Sequence, residues 1–85
     1  MPVVDIDGNA VQITPIWELP GLYRAYALGC LTLVEVIDSP ELQFEWMKVV
    51  SVLVADGMTF ELADQVPISW HAEIVEAAVG NRTGK

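Results

Sequence analysis

The chain has 85 residues, 53% of them hydrophobic, with twelve acidic side chains against four basic ones, a net charge of −8 and a mean hydropathy of +0.42. This composition excludes intrinsic disorder and asks for one small core, while like-charge repulsion disfavours phosphate backbones and anionic lipid surfaces as partners. The single cysteine, Cys30, has no second cysteine for a disulfide or a zinc site and is expected as a small buried hydrophobe in a reducing compartment.

The opening "MPVVDIDGNAVQ" lacks a basic n-region and reaches acids by Asp5, so no secretory signal is expected. "VVDIDGNAVQIT" alternates apolar and polar residues around Asp7-Gly8-Asn9, where Gly8 and Asn9 can take positive φ. This predicts a β-hairpin over 3–14, with strands at about 3–6 and 10–14. A lone hairpin is marginal in water, so it must pack on helices or pair at its edge.

Pro15 ends the second strand, and Pro20 suits the first turn of a helix at about 19–37. Wound at 3.6 residues per turn, Leu19, Leu22, Tyr23, Tyr26, Ala27, Cys30, Leu33, Val34 and Ile37 gather on one face, which is expected to be core. Leu28 falls among the polar positions opposite, with Leu31 and Val36 at the borders. Arg24 and Glu35 interrupt this apolar segment, which is too short and too charged to span a bilayer.

Ser39-Pro40-Glu41 is a strong helix start, with Ser39 as cap, Pro40 where no donor is needed and Glu41 at the positive end, and Gly57 supplies a stop. The second helix, at about 40–56, should pack antiparallel on the first through Leu42, Trp46, Val49, Val50 and Leu53, with Met47 and Val54 widening the stripe. Phe44 and Val52 fall outside it, and Phe44 with Met47 can form an apolar shoulder. Thr59 can cap a short helix at about 60–65, and Pro67 can start a last helix at about 67–79. On that helix only Ser69, Glu73 and Glu76 form a polar strip, which makes homo-oligomerisation plausible. Residues 81–85, "NRTGK", read as a flexible tail. The fold class is therefore α+β, mainly α: a short N-terminal hairpin and three to four helices in one small bundle over 1–80.

Chemistry-bearing groups are sparse. His71 and Glu73 are two apart and face different sides of a helix, so they cannot share a metal, and His71 in an apolar arc is expected to pack against a carbonyl. Glu41 and Glu45, with Asp38 nearby, are neighbours on a solvated helix start, where acids are favourable without a catalytic role. A calcium loop beginning at Asp5 would need a glutamate where Ile16 stands. "GNRTGK" lacks the preceding strand and following helix of a phosphate loop. No catalytic residue, cofactor or metal is expected, and the chain is not expected to be an enzyme.

The order of features says more than any one residue. "VVDIDGNAVQITPI" leads into a helical body, and "DGMTFELADQVPISWHAEIVEAAVGN" combines a capped turn, a proline and an apolar helix. This layout resembles the tail assembly chaperones of long-tailed bacteriophages, over most of the chain. The resemblance implies a protein of the host cytoplasm that binds the hydrophobic tape measure protein, keeps it soluble, helps recruit tail tube protein and is absent from the mature virion. It also implies that a longer, frameshifted form can exist. It transfers no binding residue, so helix geometry alone marks Leu28, Leu31, Phe44, Met47, Val52, Trp70 and Ile74 as the expected partner-binding set. Two other readings remain: a structural virion or connector component, and an acidic inhibitor mimicking nucleic acid. The even spread of acids from Asp5 to Glu76 favours a solvated surface over the last of these.

Overall fold

The computed structural model describes residues 3–6 and 8–80, with Ile6 as backbone only. Asp7 of the expected turn and the expected tail at 81–85 lie outside the described residues. Strands β1 (Val3–Ile6) and β2 (Asn9–Gln12) pair antiparallel, Val3 opposite Gln12 and Ile6 opposite Asn9. Gly8 takes φ +81°, a conformation that disfavours any residue with a Cβ.

The second strand is shorter than the alternation predicted, because its continuation joins another element. Ile13, fully buried, forms an antiparallel bridge with Ala55. On either side of it, the Thr14 N–H donates to the Val54 carbonyl at 2.8 Å and the Asp56 N–H to that of Gln12 at 2.9 Å. These bonds tie the hairpin to the helical body, supplying what an isolated hairpin lacks.

Ile16–Glu18 form a 3-10 turn, and extended backbone at Leu19 and Pro20 delays the first helix, α1, to Gly21–Val36. Pro20 therefore precedes the first turn instead of lying within it. Helix α2 (Pro40–Val54) starts as expected: Ser39 Oγ accepts from the Leu42 N–H at 3.4 Å, and Pro40 occupies the first turn. It stops at Val54 because Ala55 is drawn into the bridge with Ile13, and the chain turns back through Gly57 at φ +83°. The C-terminus of α1 has no glycine cap. The Gln43 side chain serves instead, its Nε2 donating to the carbonyls of Val34 (3.1 Å) and Ile37 (2.8 Å).

Helix α3 (Phe60–Gln65) begins where Thr59 Oγ1 accepts from the Leu62 N–H at 3.1 Å, and α4 (Ile68–Gly80) follows Pro67. The architecture is the expected one, mainly helical with an N-terminal hairpin. Helix α2 lies at its centre. It packs against α1 on one side and against α3 and α4 on the other, while β1 rests on α4 and the 3-10 turn on α1. Ile13, Ile16, Ala27, Cys30, Val50, Val54, Met58, Ala63, Ile74 and Ala78 form the continuous core.

This layer order overturns part of the expected core. On α1 the inward line runs through Ala27, Cys30, Leu31 and Val34, whereas Leu22, Tyr23, Tyr26 and Leu33 are exposed. The apolar circumference of α1 is wider than one helical neighbour can cover. On α2, Leu42 is likewise exposed, and the sealed positions are Val50, Ser51 and Val54. Ile68 and Ala72 of α4 face out, because His71, Ile74 and Ala78 take the inner line.

Candidate protein-binding surfaces

The described residues contain one well-built polar centre, and it is closed. His71 on α4 and Ser51 on α2 are both fully buried. His71 Nε2 lies 2.9 Å from the Ala63 carbonyl, which can only accept, so Nε2 carries the proton and donates. Nδ1, 2.8 Å from Ser51 Oγ, is then the acceptor of the serine hydroxyl in the neutral ring. Burial pushes the His71 pKa below its ordinary value, with the Ala63 carbonyl acting in the opposite direction. Phe44 covers the ring, centroids 5.6 Å apart, and Lys48 Nζ stands 4.9 Å over Phe44. Lys48 in turn binds Asp64 of α3, as well as Glu45 at 3.2 Å, and Asp64 raises its pKa. A serine–histidine pair sealed from solvent joins α2, α3 and α4 and offers substrate no access. Among the described residues no group of three His, Cys, Asp or Glu is placed to hold a metal ion.

Sequence reasoning missed this centre apart from the bond of His71 to a carbonyl. Ser51 and Lys48 are ordinary polar positions on a helix, and only their placement opposite α3 and α4 distinguishes them. The same packing explains most of the expected partner-binding set. Ile74 is fully buried between its neighbours and is core, not surface. Phe44 is half-buried under Lys48 and against His71, and Met47 is half-buried. Leu31, Val52 and Trp70 are half-buried and pack on the core. Leu28 alone of the seven is exposed, at 48%.

Three apolar surfaces remain. Leu28 lines the first, an open groove of about 450 Å³ with Ile16, Trp17 and Arg24, where the 3-10 turn crosses α1. Arg24 Nη1 donates to the Trp17 carbonyl at 3.1 Å, which holds the guanidinium at the rim of the groove. A second groove of about 280 Å³ runs between the hairpin and the last two helices past Val11, Met58, Leu62, Val66 and Trp70. Sequence reasoning marked Trp70 there without its neighbours, which come from four separate segments.

The third surface is the outer side of α1, where Leu22 is 80%, Tyr26 57% and Val36 70% exposed. With Gly29 and Leu33 these residues follow a 4-3-4-3 spacing, turned by about 130° from the buried line of the same helix. Of these, Leu22, Tyr26 and Leu33 are expected from the sequence in the core and Val36 at its border, whereas the structure leaves all four on the outside. A hollow of about 260 Å³ opens beside it, lined by Ala25, Tyr26, Gly29, Cys30, Leu33 and Trp46. No helix among the described residues is long and apolar enough to cross a membrane. Compared with known proteins, the chain matches no family model, no curated protein and no solved structure.

Proposed function

We propose that the chain is a protein-binding module without catalytic function, acting as an assembly chaperone of the long-tailed phage type. It holds the hydrophobic tape measure protein in solution in the host cytoplasm until tail tube protein assembles around it. One observation carries this reading: the open apolar groove where Leu28 and Trp17 stand exposed on a chain of net charge −8. A holdase needs both properties, an apolar seat for a partner's side chains and a charge surplus that keeps the complex from aggregating. The groove's lining of Ile16, Trp17 and Leu28 offers apolar contact to a partner's side chains, with Arg24 at the rim. Support also comes from the resemblance in layout, which covers most of the chain.

Co-expression with the tape measure protein of the same genome tests the reading. The tape measure protein is expected in the soluble fraction with this chain and in the pellet without it, and Leu28→Asp is expected to return most of it to the pellet. Equal insolubility with and without the wild-type chain would sink the proposal. Mass analysis of purified particles separates a chaperone, which is absent from them, from a structural component, which is present.

A further inference from the structure

We propose that the outer side of α1 is the seat of a second copy of this chain, the two α1 helices crossing antiparallel with Gly29 on Gly29. This inference is independent of the client reading, because Leu28 and its groove lie on another side of the helix.

Four observations converge. The first is the seam of Leu22, Tyr26, Gly29, Leu33 and Val36, whose spacing is that of a helix–helix contact and which no element among the described residues covers at Leu22, Tyr26 and Val36. The second is Gly29 itself. A Cβ built there meets nothing within 4 Å, and its φ lies in the ordinary helical range, so the monomer gives no reason for a residue that destabilises a helix interior. Close approach of another backbone is the physical use that remains for it.

The third observation is position. Gly29 lies seven residues from both Leu22 and Val36. An antiparallel two-fold crossing at Gly29 therefore sets Leu22 against Val36 of the other copy and brings Tyr26, three residues before the crossing, beside its Leu33, four residues after it, large next to smaller on both sides. The contact is self-complementary, as a two-fold interface requires. The hollow that Gly29 opens in front of Trp46 gives the other copy's side chains room to enter.

The fourth is charge and area. Two chains of net charge −8 repel one another wherever their acids meet. The only charged residues of α1, Arg24 and Glu35, both point away from the seam, so α1 itself brings no like charges into the contact. With Tyr23 at its flank the seam offers at most about 600 Å² per copy, so full burial would bring a pair to the lower edge of the range for specific interfaces.

Sedimentation equilibrium of the full chain, from micromolar concentration upward, is the test. The wild-type chain is expected to dimerise. Gly29→Leu, which fills open space in the monomer, is expected to keep the helical circular-dichroism signal and to weaken association by about tenfold or more. Should Gly29→Leu misfold, Val36→Glu at the exposed end of the helix reads the same loss. In a Cys30→Ala background, Gly29→Cys is expected to form a disulfide with its own copy. Leu22→Cys is expected to cross-link only when mixed with Val36→Cys. A wild-type chain that stays monomeric overturns the proposal, as does a folded Gly29→Leu that associates like wild type. Self-linking of Leu22→Cys ahead of Gly29→Cys would replace the antiparallel crossing with a parallel one and overturn it too. If the wild type is monomeric and Gly29→Leu loses the tape measure protein from the soluble fraction, the seam holds the client and no second copy.

Discussion

His71 is sealed beneath Phe44 as the neutral ring, with both nitrogens bonded, and this makes it the residue through which the fold senses acid. Unfolded, it takes up a proton near the free histidine value of about 6.5; folded, burial holds its pKa lower. Between the two values the unfolded chain binds more protons, so the contribution to stability is complete above about pH 6.5 and is lost as pH falls below it. Urea midpoints measured between neutral and mildly acidic pH should therefore fall, and NMR titration should place His71 below the free value. A His71 that titrates at or above the free value contradicts the burial described here. At neutral pH, Ser51→Ala should cost about 1–3 kcal/mol in urea unfolding, since it leaves the buried Nδ1 acceptor without a donor.

Among the elements, α3 is the one most dependent on its neighbours. It has only six residues, too few to hold as a helix alone, yet it supplies Ala63, whose carbonyl binds His71, and Asp64, which binds Lys48. The Thr59 hydroxyl that starts it can be tested directly. Thr59→Ala should lower stability by about 0.5–2 kcal/mol, and amide exchange should rise in α3 before it rises in α2. Uniform exchange through both helices would show that α3 opens only with the whole fold. Helix α1 presents the opposite case. It is long and apolar on two sides but has one principal helical neighbour, so its tertiary contacts use only part of what its sequence offers. The hairpin stands between these cases, since the Ile13–Ala55 bridge makes its second strand part of the α2 terminus.

For the whole molecule, the decisive fact is that α2 lies between α1 and the pair α3–α4, so α2 is the main helical cover of each outer helix, with the 3-10 turn on α1 and β1 on α4. A substitution therefore separates into core or surface by its relation to α2, whatever its hydrophobicity. Ile74→Ala, on the side of α4 turned inward, should destabilise the fold by about 2–5 kcal/mol. Leu28→Asp, in the open groove beside the 3-10 turn, should leave the urea midpoint within about 0.5 kcal/mol of wild type while weakening binding of the proposed client. Comparable losses in the two variants would show that the Leu28 groove is closed in solution.

Much of the fold was legible because it depends on local backbone chemistry. Gly8 in the hairpin turn, the Ser39-Pro40 and Thr59 starts and the pattern of one hairpin followed by helices all follow from capping, missing donors and permitted φ values, which neighbouring residues decide, whereas Gly57 does not end α2, which stops at Val54 where Ala55 bridges Ile13. The tendency of His71 to find a carbonyl is local in the same sense, being a property of any imidazole in an apolar arc. Periodicity also revealed that α1 has more apolar surface than polar. It could not say which apolar line turns inward, and Leu22, Tyr26 and Leu33 on one side were indistinguishable from Ala27, Cys30 and Val34 on another. Hydrophobicity carries no direction; only the placement of a neighbour supplies one. The tertiary structure made that choice by turning small Ala27 and Cys30 into the core, and in doing so left the larger side chains of Leu22 and Tyr26 outside.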